Sequence, residues 1–379
     1  MKLLTMNNFL NKFKDSPTNS QSLDEFVETA NVSLSNHKVV SLSKYMKQNK
    51  IKKQDVKLLL ENIENRNEYL TRFYNTSLKV DENNNKITDI EPMKKLNLDN
   101  NSNVQYKNLI RNLHYKEILQ ETKSGFENTP SYLDIIINLY TKNLIDYKLL
   151  TPSSIFYMKN GRLGSVFSSY YFRASILNPY LIFSIQESVL KGTKVFTPTL
   201  GWSSYLFAFL QSSHLKEYVG TDVIPSVCSK TRELGKQYEQ NVKIYCKASE
   251  DLYKSKVFLK NYKKHFDLVF FSPPYFKLEL YDSENQSTDR YDKLEDWLKE
   301  YWENTIKLCY EVLEKNGKLC YILSGYGSHD KNNFIDLVSK MNEITKKYFS
   351  KLEIIDMHNK NVHSTKHRET GEKIMIFKK

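Results

Sequence analysis

Cysteine is sparse in this chain. The four present, Cys228, Cys246, Cys309 and Cys320, are scattered, and no two share a CxxC spacing. That excludes a disulfide framework and a zinc-type metal site, and it fits a reducing compartment. Long apolar runs are missing as well: none approaches the ~18–20 residues of a membrane-spanning helix. The N-terminus MKLLTMNNFLNKFK turns polar too early for the apolar region of a secretory signal. The expectation is an intracellular protein, in the cytoplasm or nucleus of a host cell, with no membrane partner. No internal repeat is present. Acidic residues are outnumbered, giving a formal net charge of +12 and a pI near 9.1. That balance favours a polyanionic partner, nucleic acid above all, over an acidic small molecule.

What is present divides by rhythm. Residues 1–95 read as a helical accessory module, with Val56, Leu59, Leu60, Ile63 and Leu70 at helical spacing. The stretch VSLSKYMKQNKIKKQDVKLLL reads first as a solvated helical hairpin and second as a helix-turn-helix with a basic turn facing DNA. The polar segments DENNNK and NLDNNSN set the expected boundary, with a second domain over 104–379: a helical lead-in over 104–160 and a core over 160–379. In that core GTKVFTPTLGW, EYVGTDVIP, NVKIYCKAS, FDLVFFSPPY and GKLCYILSG are short strand-like runs ending in loops, separated by helix-like segments. Alternation of that kind predicts an α/β fold, a Rossmann-like, doubly wound and mostly parallel sheet. The tail KLEIIDMHNKNVHSTKHRETGEKIMIFKK suits an antiparallel edge hairpin around a charged loop. In that loop His363 and His367 read as solvated, and Lys360, Lys366 and Arg368 as residues able to touch phosphates.

Ligands of such sheets bind beyond the carboxyl ends of the strands, so the loops there carry the chemistry. The first strand-to-helix turn, Val195 to Ser204, has one glycine where the dinucleotide fingerprint has three. A nicotinamide cofactor is therefore disfavoured. The second strand ends in Gly220-Thr221-Asp222, where a carboxylate can accept hydrogen bonds from both hydroxyls of a ribose. Capping the helix after Pro225 is its plainer role. The third strand ends near Glu250, within reach of an adenine amino group. The fourth ends in Ser272-Pro273-Pro274-Tyr275. Two prolines stiffen that loop and leave carbonyl oxygens outside the sheet ladder. With the Ser272 hydroxyl, they can accept hydrogen bonds from an exocyclic amine, and Tyr275 offers a ring on which an extruded base can stack. The loop Tyr281–Arg290 would then close over the base or take part in target recognition. The run Tyr170-Tyr171-Phe172 with Arg173 reads as core plus a surface arginine.

Ser272-Pro273-Pro274-Tyr275 resembles the (D/N/S)PP(Y/F/W) motif of S-adenosylmethionine-dependent amino-methyltransferases that act on adenine N6 or cytosine N4. FSPPYFKLELYDSENQSTDRYDKLEDWLKEYW is similar to DNA-methylase-like proteins of phages and large DNA viruses. VFTPTLGWSSYL resembles their cofactor loop, YVGTDVIPS their ribose loop, and SSYYFRASILNPYLIFSI the segment that holds the methionine moiety. The likeness spans about residues 160–379. It implies a class I methyltransferase with S-adenosylmethionine as cofactor, held by Asn178, Thr197, Gly201, Asp222 and Glu250. The catalytic set would be Ser272, Pro273, Pro274 and Tyr275, with no metal and with DNA as the nucleic-acid partner. Thr197 stands where the family often has Asp, and Ser203 and Ser204 replace a usual glycine, which leaves open a degenerate protein that binds nucleic acid or a partner without catalysis. Ser272 is commoner in cytosine enzymes while the order of the loops is commoner in adenine enzymes; base rate favours adenine slightly. RNA remains the alternative polymer. Residues 1–95 carry no such resemblance and are expected to serve as an accessory that can dock a protein partner.

Overall fold

The computed structural model describes residues 2–14, 21–81, 86–87, 90–125, 129–281, 284–327, 334–357 and 371–379. The expected hairpin tip, with Lys360, His363, Lys366, His367 and Arg368, lies outside the described residues, as does part of the Tyr281–Arg290 loop. The chain forms two compact units. One comprises Val80–His114 and Ile176–Lys379, the other Lys2–Lys79 and Tyr115–Ser175.

That partition redraws the expected boundary between residues 95 and 104. The amphipathic piece Tyr132–Lys142 belongs with the N-terminal helices, where Tyr140 meets Phe13 edge-on at 6.2 Å. Strand Leu144–Asp146 pairs in parallel with Asn31–Ser33, which pairs antiparallel with Val39–Ser41. Several helices of this unit begin where side-chain oxygens cap them: Ser22, Ser41, Ser131 and Thr151 each accept from the amide three residues on. The apolar stripe Val56, Leu59, Leu60, Ile63 and Leu70 is buried, as its spacing predicts.

The other unit holds the seven-stranded sheet. Its strands are β1 (Lys194–Thr197), β2 (Glu217–Asp222), β3 (Asn241–Cys246), β4 (Phe266–Phe271), β5 (Leu313–Leu323), β6 (Ser350–Asp356) and β7 (Lys373–Lys378). The spatial order is β3-β2-β1-β4-β5-β7-β6. The first five run parallel, and β7 lies antiparallel between β5 and β6. This is the Rossmann-like doubly wound arrangement expected, with the chain reversing direction beside β1. The tail does form an antiparallel hairpin, and its returning strand inserts beside β5. Helices α1 (Pro179–Ile185), α2 (Ser204–Leu210), α3 (Pro225–Gly235), α4 (Ser249–Lys254), α5 (Lys256–Tyr262), α6 (Glu303–Val312) and α7 (Leu337–Thr345) accompany the strands. Strand β4 reads FDLVFF, and every residue but Asp267 is buried, the pattern of a central parallel strand covered on both faces. Asp267 instead closes the amino edge, accepting from the amides of Thr193 and Lys194 at 2.8–3.0 Å.

Candidate active site

The carboxyl ends of β1, β2, β3, β4 and β5 bring the candidate residues to one edge. After β1 the backbone takes three consecutive left-handed residues, Gly201 (φ +51°), Trp202 (φ +59°) and Ser203 (φ +68°). Only the first is glycine, so two L residues sit where sterics disfavour them. Side chains hold them there. Leu200 donates its amide to Asp222 Oδ2 at 3.0 Å. Thr231 donates its hydroxyl to the Val227 carbonyl at 2.7 Å and so accepts from Ser203 Oγ at 2.7 Å. Ser203 in turn accepts from His114 Nε2 at 2.8 Å. The chain of donors assigns His114 the neutral Nε2–H tautomer, consistent with burial and the Lys230 charge pushing its pKa well below the ordinary histidine value. Gly201 itself is required, because a β-carbon there would lie 2.3 Å from the Tyr205 ring.

Asp222 is the hinge between loops. Its Oδ1 accepts from the amides of Val223 (2.8 Å) and Ile224 (3.1 Å), and its Oδ2 from Leu200. Asp222 does not cap α3, whose N-cap Ile224 has no side-chain hydrogen bond; it holds the backbone just ahead of that helix instead. A carboxylate has about four acceptor positions, so the three amides leave one on Oδ2 for a hydroxyl. Burial raises its pKa, offset by those amides.

Glu250, at the start of α4, is buried and bound by Arg290 Nη1 at 2.8 Å, while Arg290 Nη2 holds Asp251 at 2.8 Å. Ser249 meets Thr305 at 2.7 Å, which sets the turn of residues 297–302 beside α4. On that turn Tyr301 is 4% exposed, and its hydroxyl has no partner among the described residues. Glu250, Asp222 and Tyr205 all act on it electrostatically. A buried donor left unpaired costs stability, so this hydroxyl, in the field of two carboxylates, is a position that suits a polar ligand.

After β4, Ser272 donates its hydroxyl to the Ile322 carbonyl of β5 at 3.0 Å. With its proton so committed, the oxygen can meet a ligand only as an acceptor. The Ser272 amide donates to Tyr205 Oη at 3.0 Å, and burial pushes the Tyr205 pKa up to about 12. Pro273 is buried and Pro274 half-buried; neither carbonyl accepts a hydrogen bond from the described residues. Tyr275 accepts the Ser324 amide at 2.9 Å on its hydroxyl and lies against Tyr326, centroids 6.1 Å apart and 24° from parallel. Glu372, immediately before β7, stands 3.5 Å from that hydroxyl; burial raises the pKa of both groups.

Two expected site residues face elsewhere. Asn178 is fully buried: it caps α1 through the Tyr180 amide (3.1 Å), and its Nδ2 donates to the carbonyls of Ser102 (2.7 Å) and Asn100 (3.3 Å). Thr197 is also buried, its hydroxyl 2.6 Å from that of Tyr218 inside the core. Both side chains are used within the fold. Sequence reasoning missed His114, Tyr205, Tyr301 and Glu372, which lie in helices or at a strand end without a local motif. Tyr171, read as core, is buried, and Arg173 lies over the Tyr132 ring at 5.8 Å. Among the described residues no group of three or more His, Cys, Asp or Glu can hold a metal, and no helix is long and apolar enough to cross a membrane.

No family model matches the chain, and no curated protein does. Among solved structures it is similar to the N-methyltransferase NodS of Bradyrhizobium japonicum bound to S-adenosyl-L-homocysteine, at 10% identity and a TM-score of 0.35, over 52% of this chain and 82% of that one. It is also similar to a methyltransferase of Pyrococcus furiosus, at 14% identity and a TM-score of 0.36, over 53% and 82%. A likeness this distant says nothing about activity.

Proposed function

We propose that this chain is an S-adenosylmethionine-dependent methyltransferase acting on an exocyclic base amine in DNA, adenine N6 ahead of cytosine N4. The observation that carries the reading is the state of the β4 loop. Ser272 donates its hydroxyl to the Ile322 carbonyl, which leaves the Oγ lone pairs free to accept, and the neighbouring proline carbonyls accept no hydrogen bond from the described residues. An amine hydrogen-bonded to Ser272 Oγ and the Pro273 carbonyl is drawn toward tetrahedral geometry, with its lone pair localised for in-line attack. S-adenosylmethionine, held by the loops after β1 and β2, would supply an electrophilic methyl to that amine and depart as the neutral thioether, with the amine proton passing to solvent. Asp222 keeps one acceptor position for a ribose hydroxyl, Gly201 allows the loop to turn, and Glu250 with Tyr301 lines the adenine end. Tyr275 would stack on the extruded base, its ring held in place by Ser324 and Tyr326.

The test is incubation with isotope-labelled S-adenosylmethionine and mixed DNA and RNA, followed by nucleoside mass spectrometry of each polymer. Label in N6-methyladenine or N4-methylcytosine from DNA is the expected result. Label only in RNA nucleosides moves the substrate to RNA. No label, and no binding of S-adenosylhomocysteine, refutes the assignment and leaves a non-catalytic binding protein.

A further inference from the structure

The second unit carries a lysine-rich turn for which the site above has no use. Between Lys38 and Lys57 the sequence has seven lysines and one acid, Asp55. Helix Leu42–Asn49 buries Leu42 and Met46 on one face and exposes Lys44, Lys47 and Gln48 on the other. The helix ends at Lys50, whose left-handed conformation (φ +54°) turns the chain. Exposed Lys52 then precedes helix Lys53–Glu64. Three nearby acids are already paired: Asp24 with Lys53 at 2.5 Å, Glu61 with Lys57 at 3.9 Å and Asp55 with Lys159 at 3.4 Å. Lys44, Lys47, Lys50 and Lys52 have no acidic partner among the described residues.

A solvated helical face ordinarily mixes signs, because like charges at i, i+3 spacing repel and opposite ones attract. Lys44, Lys47 and Lys50 instead repeat every third residue without an intervening acid. The arrangement is costly in isolation and favourable against a line of negative charge. Lysine is a point charge on a flexible stem, suited to phosphate oxygens and indifferent to base identity.

We infer that the turn formed by Lys44, Lys47, Lys50 and Lys52 is a docking surface for the phosphate backbone of duplex DNA, separate from the candidate active site and independent of sequence. Each lysine in contact with a phosphate releases condensed counterion, so the log–log dependence of affinity on salt steepens by about 0.9 per contact.

The experiment uses the full chain, without cofactor, and a fluorescent DNA duplex titrated from 50 to 200 mM salt. Replacing Lys44, Lys47, Lys50 and Lys52 together by Ala should lower the salt slope by roughly 2–4 and weaken binding at least tenfold at the lower salt. All four are exposed, so an unchanged circular dichroism melt is expected. The control neutralises the exposed Lys236, Lys254, Lys256 and Lys260 of the sheet unit. An equal loss in the control, an unchanged slope in the test variant, or wild-type protein that binds RNA but no duplex DNA would each overturn the inference. Methyl transfer is scored separately: a variant that labels DNA but keeps its slope refutes the docking surface alone, and a wild type that binds with the expected slope yet transfers no methyl refutes the enzymatic reading alone.

Discussion

Two loops at the same sheet edge are made rigid by opposite means. The β4 loop is stiffened covalently, by Pro273 and Pro274, whose rings fix φ and whose missing N–H groups remove any pull toward further pairing. The β1 loop is stiffened by its surroundings. Trp202 and Ser203 stay left-handed because Asp222 takes the Leu200 amide and the His114–Ser203–Thr231 chain holds the hydroxyl. The first loop is rigid in any context that lets it form; the second is rigid only inside this fold. Substitutions at the proline loop should therefore act on chemistry, and substitutions around the β1 loop on binding and stability together.

The largest expected effect is that of Asp222→Ala, which frees three amides at once. It should weaken S-adenosylhomocysteine binding by about 10- to 100-fold and destabilise the protein by about 2–4 kcal/mol, by titration calorimetry and urea melts. Full affinity in the variant would separate Asp222 from the cofactor. Gly201→Ala comes next. Its β-carbon would meet the Tyr205 ring in a backbone conformation unfavourable to L residues, costing about 1–3 kcal/mol in a chemical melt. Pro274→Ala should cost only about 0.4–1 kcal/mol, yet slow methyl transfer while leaving cofactor affinity unchanged. A parallel fall in affinity would erase the contrast between the loops.

The smallest effect is one of pH. Burial raises the folded pKa of Asp222 above its ordinary value of 3.8, so between those two values the folded chain binds more protons than the unfolded one. Stability conferred by this group accordingly rises as pH falls through that window. The stability difference between wild type and Asp222→Asn, followed by urea melts from pH 6 to 4, should shift in favour of wild type as acid is added. A flat difference would show that the carboxylate is solvated as in the unfolded chain.

Much of the sheet was legible because parallel strands buried on both faces announce themselves as apolar runs. Asp222, Glu250 and the SPPY loop were legible because they follow those runs directly. The engagement of Asn178 could not be read, because a polar residue ahead of a helix looks alike whether it meets a ligand or caps the helix; its partners Tyr180, Ser102 and Asn100 lie within the fold. The burial of Thr197 beside Tyr218 was not legible because period-two alternation does not tell which face of β1 a side chain takes. The compact units divide elsewhere than near residue 100, since polar linkers mark exposed backbone and carry no record of which segments later pack together.

The sequence by itself determined the alternation of strands and helices, the rigidity of Ser272–Tyr275 and the excess of positive charge, because each depends on a residue and its near neighbours. Tertiary structure alone decided that 115–175 joins the N-terminal helices, that His114 supports a loop some ninety residues on, and that the Ser272 hydroxyl donates to Ile322. Those facts depend on groups far apart in the chain: a hydroxyl whose O–H is engaged by a distant carbonyl has only its lone pairs left to offer a ligand.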